Sequence, residues 1–380
     1  MSRRSKGEGA IYRRSDGKWC AAIVHDDPAT LRRRRTVLYG RTRTEVSRKL
    51  KEAQKRVEAG GPVRDATTSL AAWLQYWQDT SLESSSRKET TKQLYKSVTV
   101  HHLSPEPFGA LRLDQLKPTH VEALLGRLRD KRLSESTVRQ AFIVLGIALD
   151  AAVRDGLLAR NPTRAVHRPS IASKEAEHMT PDEVASILAA AASSRYYPLF
   201  ALLVATGLRR GEAAALKWTD VDLKHETLKV RGTLVRINAA LVITPPKSEK
   251  SRREVPLSPG VVKMLKAHRS AQNHERLRAG NQWIPSGHVF VTEFGAPVDP
   301  RNILRAFRTA ANAAKIDHHV TVHTLRHSAA TGWLENGLNI VEVSRRLGHS
   351  SISITGDVYG HISDAAARGP MDAWSEAIGL

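Results

Sequence analysis

The sequence predicts a multi-domain α+β fold: a small three-stranded sheet plus helix, then a helical bundle, then a mostly α domain with a small antiparallel sheet. Three observations carry this. The chain has 380 residues, more than one hydrophobic core ordinarily serves. Its apolar spacing changes from alternating to helical near residue 65 and becomes mixed after residue 172. Turn-forming clusters stand at both changes. The expected domains are therefore 1–64, 65–172 and 173–380. A 41% hydrophobic and 26% charged composition is that of a chain that folds rather than one that stays disordered.

In the first segment, Ala10-Ile11-Tyr12, Trp19 to Val24 and Thr36 to Tyr39 are strand-like runs. Ser15-Asp16-Gly17 and Asp26-Asp27-Pro28 supply turn chemistry between them. Thr44 to Ala59 then carries Leu50, Ala53 and Val57 at helical spacing, and Gly60-Gly61-Pro62 stops it. From 65 the pattern is helical: Ser69 to Trp77, Ser85 to Val100, a helix opened by Lys117-Pro118-Thr119, and a long one capped at Ser134 and halted near Gly156. Asn161-Pro162 ends the bundle, and Val166 to Glu177 reads as a connector. Thr180-Pro181-Asp182-Glu183 opens the last segment as a helix start with Pro in the first turn. Residues 198–208 read as a buried helix. Short strands follow at 228–230, 233–237, 241–243 and 254–257, and the remainder is chiefly helical.

Charge narrows the function. There are 59 Lys+Arg against 38 Asp+Glu, a formal net charge of +21, and the excess recurs along the whole chain. A polyanionic partner explains that better than a membrane surface does, and nucleic acid is the first choice. In the first segment Arg32, Arg33, Arg34 and Arg35 form a run placed to hold phosphate, on a small sheet of the kind that can enter a major groove. Cys20 is the single cysteine, which excludes an intramolecular disulfide and a cysteine-based zinc site. The most conspicuous apolar stretch, 198–208, is far short of the roughly 20 residues a membrane helix needs. No apolar run follows the basic start, so the expectation is a cytoplasmic protein in a bacterial host, associated with the nucleoid.

Four segments carry chemistry. Ala205-Thr206-Gly207-Leu208-Arg209-Arg210-Gly211-Glu212 comes first. Pro246-Lys247-Ser248 follows, ahead of Arg252 to Leu257. Next come His323-Thr324-Leu325-Arg326-His327 and Leu347-Gly348-His349-Ser350-Ser351, with Tyr359 beyond. Two arginines, a lysine, two histidines and a tyrosine without a carboxylate cluster suit metal-free attack on a phosphodiester, because guanidinium forks can neutralise the non-bridging oxygens. His323 and His327 stand one helical turn apart, but no Glu lies between them as in H-E-x-x-H, so no metal site and no cofactor are expected.

The order and spacing of these segments resemble the tyrosine recombinase, or phage integrase, family. The resemblance runs over about residues 65–380, and residues 1–64 are similar to the arm-site-binding domain of phage-type integrases. It implies a site-specific DNA recombinase that cleaves and rejoins strands through a 3′-phosphotyrosyl intermediate, integrating or excising a mobile element without metal or ATP. Carried over by motif, Tyr359 is the nucleophile, Arg209 and Arg326 clamp the phosphate, and Lys247 protonates the leaving 5′-oxygen. His323 serves as base, His349 hydrogen-bonds the phosphate, and Glu212 supports the site. The implied partners are double-stranded DNA at core and arm sites, a homotetramer on DNA, and possible accessory proteins, an excisionase and a DNA-bending protein. The resemblance also implies that the tail containing Met371, Trp374, Ala377 and Ile378 docks on a neighbouring protomer, with packing on its own chain as the alternative. A type IB topoisomerase and a non-catalytic DNA-binding regulator are the competing readings. Intact Arg209, Lys247, Arg326 and Tyr359 weigh against the second.

Overall fold

A computed structural model describes residues 9–14, 17–26, 33–58, 68–171, 177–245, 252–356 and 358–359, apart from the side chains of Asp26, Arg34 and Arg56. Lys247, Arg32, residues 172–176 of the connector and the tail from 360 onward lie outside the described residues. The chain divides into two compact units, Met1–Ser173 and Lys174–Leu380.

The first unit holds two separate apolar clusters. Strands β1 (Ala10–Arg13), β2 (Trp19–Asp26) and β3 (Arg33–Gly40) form an antiparallel sheet with Ile11, Ala21 and Leu38 in register. Because side chains alternate across a strand, that register puts Ile11, Trp19, Ala21, Ile23 and Leu38 on one face. Val46, Leu50 and Ala53 of helix α1 (Arg43–Glu58) cover it. On the other face Tyr12 and Tyr39 flank the buried Cys20, and Arg35 donates to the Tyr12 hydroxyl at 3.4 Å.

The second cluster is the helical bundle: α2 (Leu70–Trp77), α3 (Glu89–Val98), α4 (Pro118–Asp130) and α5 (Glu135–Arg154). Ser69 and Ser134 cap α2 and α5 by accepting from the backbone N–H groups of Ala72 and Thr137, each cap contributing about 1 kcal/mol. By length and composition α5, rather than 198–208, is the helix apolar enough to cross a membrane. Its apolar face, Val138, Phe142, Leu145 and Leu149 included, is instead the centre of the bundle. The Trp73 indole N–H donates to the Ala148 carbonyl of α5 at 3.0 Å, which removes the cost of burying it.

In the second unit α6 (Pro181–Ala190) starts with a reciprocal Thr180–Glu183 capping box, and α7 (Tyr197–Thr206) is apolar on all sides. Leu199, Phe200, Leu202 and Leu203 of α7 anchor the core, with Phe200 edge-on to Phe307 at 5.5 Å. The short helix α8 is Arg210–Ala215. The strands fall into two small antiparallel sheets rather than one. β4 (Val221–Asp222), β5 (Thr227–Val230) and β8 (Arg253–Pro256) form the first, while β6 (Thr233–Ile237) and β7 (Ala240–Thr244) form a separate hairpin. An ion pair from Arg236 to Asp299 ties that hairpin to the residue that precedes Pro300. Helices α9 (Pro259–Ala279), α10 (Pro300–Ala313), α11 (Val322–Glu335) and α12 (Ile340–Leu347) complete the unit.

Candidate active site

Two helix C-termini build the site. α7 ends at Gly207 (φ 61°) and α12 at Gly348 (φ 66°), both left-handed, a conformation glycine adopts without penalty. Space demands glycine too: a Cβ at Gly207 would stand 2.8 Å from Leu347, and one at Gly348 would stand 2.8 Å from the Arg253 guanidinium. The terminal carbonyls of such helices lack intrahelical donors and carry partial negative charge, so cations settle there. Arg326, on α11 and only 3% exposed, donates to Gly207 O at 2.6 Å and Leu347 O at 2.8 Å. Arg209 donates to Gly348 O at 3.3 Å. Burial lowers the Arg326 pKa to about 9, which still leaves the guanidinium charged at neutral pH.

Glu212 locks this arrangement from below. Arg209 is the residue before α8 and Glu212 lies in the first turn of that helix. The carboxylate accepts from the Arg209 backbone N–H at 2.9 Å and from its guanidinium at 2.8 Å. It also accepts from Arg253 at 2.9 Å. Burial by itself would raise the Glu212 pKa, but the hydrogen bond and charge of Arg253, with the backbone N–H and charge of Arg209, hold it below the ordinary value. Arg253 in turn donates to Arg346 O at 2.6 Å, which links β8 to α12. The sequence reading assigned Arg253 nothing. The signal was there: strand alternation puts Arg253 on the same face as buried Val255, where an apolar residue would be ordinary.

The histidines are kept neutral. His349 pairs Nδ1 with the Thr355 hydroxyl at 2.8 Å, and burial, then Arg326 and Arg209, press its pKa down to about 4. His323 presents an exposed edge to solvent, yet partial desolvation and the neighbouring cations Arg326, Arg209 and Arg210 lower it as well. His327, next to Arg326 on α11, falls to about 4 through burial, His323 and Arg326.

Tyr359 is 2% exposed and packs against Ala330, Leu334, Val343 and Leu347 of α11 and α12. Burial raises its pKa to about 12 against the opposing charge of Arg326. Its hydroxyl meets His327 Nδ1 at 2.5 Å; in the tautomer with the imidazole proton on Nε2, Nδ1 accepts and the phenol donates. His327 is thus the second residue that sequence reasoning left without a role. Its adjacency to Arg326 and its helical-turn spacing from His323 were the available signals.

Of the side chains singled out in the sequence, Arg209, Glu212, His323, Arg326, His349 and Tyr359 therefore gather around the ends of α7 and α12. Lys247 belongs to the stretch between β7 and β8 that lies outside the described residues. Arg33 and Arg35 are exposed on β3 in the other unit.

The phage integrase family model matches residues 177–366, half of the chain. A tyrosine recombinase XerC-like protein of Caldanaerobacter subterraneus subsp. tengcongensis is 28% identical over 346 residues, covering 86% of this chain and 88% of that protein. An integrase of Streptomyces ambofaciens is 28% identical over 368 residues, covering 94% and 93%. The fold is shared with the Tn1549 transposon integrase bound to a circular intermediate DNA (TM-score 0.66, 20% identity, covering 81% of this chain and 99% of that one). It is shared also with lambda integrase bound as a dimer to a core site (TM-score 0.60, 18% identity, covering 94% and 96%). Motif order, fold and family match converge: the chain belongs to the phage integrase family and is a tyrosine-type site-specific recombinase.

Proposed function

We propose that this recombinase is an integrase, moving a phage or related mobile element into and out of the DNA of a bacterial host. It cuts each strand by attack of Tyr359 on the scissile phosphate, leaving a 3′-phosphotyrosyl bond and a 5′-hydroxyl. The observation that carries this reading is the seating of Arg209 and Arg326 on adjoining helix ends with the buried phenol of Tyr359 next to Arg326. Helix-end carbonyls hold the two guanidiniums before any substrate arrives, so little reorganisation is needed when phosphate charge develops. Lys247 protonates the departing oxygen, and His349, kept neutral, hydrogen-bonds a phosphate oxygen.

The helical bundle and the second unit together engage core sites, and the basic sheet with Arg32 to Arg35 holds a distant arm site, which raises the effective concentration at the core. Four protomers act on two duplexes, a reading supported by the lambda integrase tetramer solved on a Holliday junction. The bacterial cytoplasm, on the nucleoid, is where this occurs.

Tyr359→Phe tests the reading. It is expected to keep DNA affinity and to form no covalent adduct on a nicked suicide duplex carrying the junction sequences that flank the gene for this chain. An adduct from that variant rejects the assignment.

A further inference from the structure

Tyr359 is a poor nucleophile while its proton stays on, and the side chain paired with its phenol oxygen is His327. His327 Nδ1 stands 2.5 Å from the phenol oxygen, with ring centroids 5.8 Å apart. Among the described residues no hydrogen bond joins His323 to the phenol. His323 instead packs edge-on against His327, centroids 4.7 Å apart, one turn earlier on α11. A hydrogen bond from the Met179 backbone N–H to Ser328 Oγ, 2.9 Å, holds the segment carrying His178 against α11 beside His327.

We infer that His327 accepts the Tyr359 proton during strand cleavage and returns it during rejoining, an inference that rests on the recombinase reading above. In cleavage the phenolic proton passes to His327 Nδ1 as the Oη–P bond forms and the P–O5′ bond breaks. The 5′-oxygen takes its proton from the separate acid, Lys247. In rejoining the 5′-hydroxyl attacks phosphorus and gives its proton back to Lys247. The Oη–P bond breaks, and His327 reprotonates the phenolate, so atoms and charge balance over the cycle.

The surroundings of His327 make this base conditional on DNA. Without substrate, burial and the positive or titratable neighbours His323, Arg326 and His178 keep its pKa at about 4. A phosphodiester anion seated on Arg209 and Arg326 offsets those positive charges. It therefore raises the histidine pKa toward the pH at which a base works best. Proton acceptance strengthens as the target phosphate arrives.

Single-turnover cleavage by His327→Gln and the native chain is compared on nicked duplexes spanning the gene-flanking junctions, made with oxygen or with sulfur at the scissile 5′-bridging position. The expected loss is roughly 10²–10⁴-fold on both substrates. A sulfur leaving group needs no acid and so repairs only leaving-group defects. The residual rate should climb with hydroxide, and added imidazole should restore His327→Ala. Native-like or faster cleavage by His327→Gln, rescue by sulfur, or imidazole rescue of His323→Ala in place of His327→Ala overturns the inference alone. Failure of the native chain to form any adduct overturns the recombinase reading and this inference with it. A measurement on the unmutated chain guards against a misfolded variant. Histidine ¹⁵N NMR with and without duplex should show the His327 pKa rising from about 4 when DNA binds, and an unmoved value overturns the proposal.

Discussion

The helical bundle of the first unit and the arginine centre of the second both have buried interiors, but they bury opposite materials. The bundle buries Trp73, Leu74, Trp77, Phe142 and Leu145 and leaves charges outside, as in the exposed Arg129–Glu135 pair at 2.7 Å. The centre buries the side chains of Glu212, Arg253 and Arg326 and satisfies them with one another and with helix-end carbonyls. Apolar contacts degrade gradually when one is trimmed. A buried charge that loses its partner keeps its full desolvation cost. The centre should therefore be brittle where the bundle is forgiving.

The largest effect is expected from Arg326→Lys. An ammonium cannot span Gly207 O and Leu347 O while offering a fork to phosphate, so cleavage should fall by roughly 10²–10³-fold with DNA affinity retained. Adduct formation within tenfold of native would undo the contrast. Glu212→Gln follows, expected to cost about 3–5 kcal/mol in denaturant unfolding because Arg253 is left uncompensated. Its pH signature is specific. The folded carboxyl pKa lies below 4.5, so its contribution is complete above about 4.5 and disappears as pH falls through the lower folded value. The glutamine variant should lack that acid limb. A second limb should survive in it: His327 and His349, held at about 4 against 6.5 when unfolded, are protonated first in the unfolded chain, so stability declines from about pH 6.5 down to about 4.

On the bundle side, Trp73→Phe keeps most of the apolar volume and removes the N–H bond to Ala148, which should cost about 1–3 kcal/mol and leave cleavage chemistry intact. The smallest change belongs to Glu135→Ala, which opens an exposed ion pair and should leave the denaturant midpoint close to native. A larger shift there would mean that surface charge matters to the bundle as much as buried charge does to the centre.

Most of the scaffold was readable from local pattern. Ser69, Ser134 and Thr180 mark helix starts because a hydroxyl satisfies orphan N–H groups, and each caps where its position announced. Gly207 and Gly348 read as parts of motifs, but their left-handed turns are what turn the two carbonyl ends toward Arg326. The division of the strands into a three-stranded sheet and a separate hairpin was not readable, since strand pairing depends on partners far apart in sequence. β5 pairs with β8, not with β6 beside it. Arg253 and His327 escaped for a related reason: each resembles a surface residue until its neighbours are known.

By itself, the sequence determined the chemical inventory of this protein: a strongly basic chain, a set of cations in a telling order, one tyrosine near the end, and helices whose caps and periodicity are local properties. Only the tertiary structure decided which carbonyls hold the two arginines, that Glu212 bridges Arg209 and Arg253, and that the phenol of Tyr359 pairs with His327. The reason is physical. Periodicity and capping depend on residues a few positions apart, whereas the protonation of a histidine or tyrosine depends on desolvation and on charges brought together from distant parts of the chain.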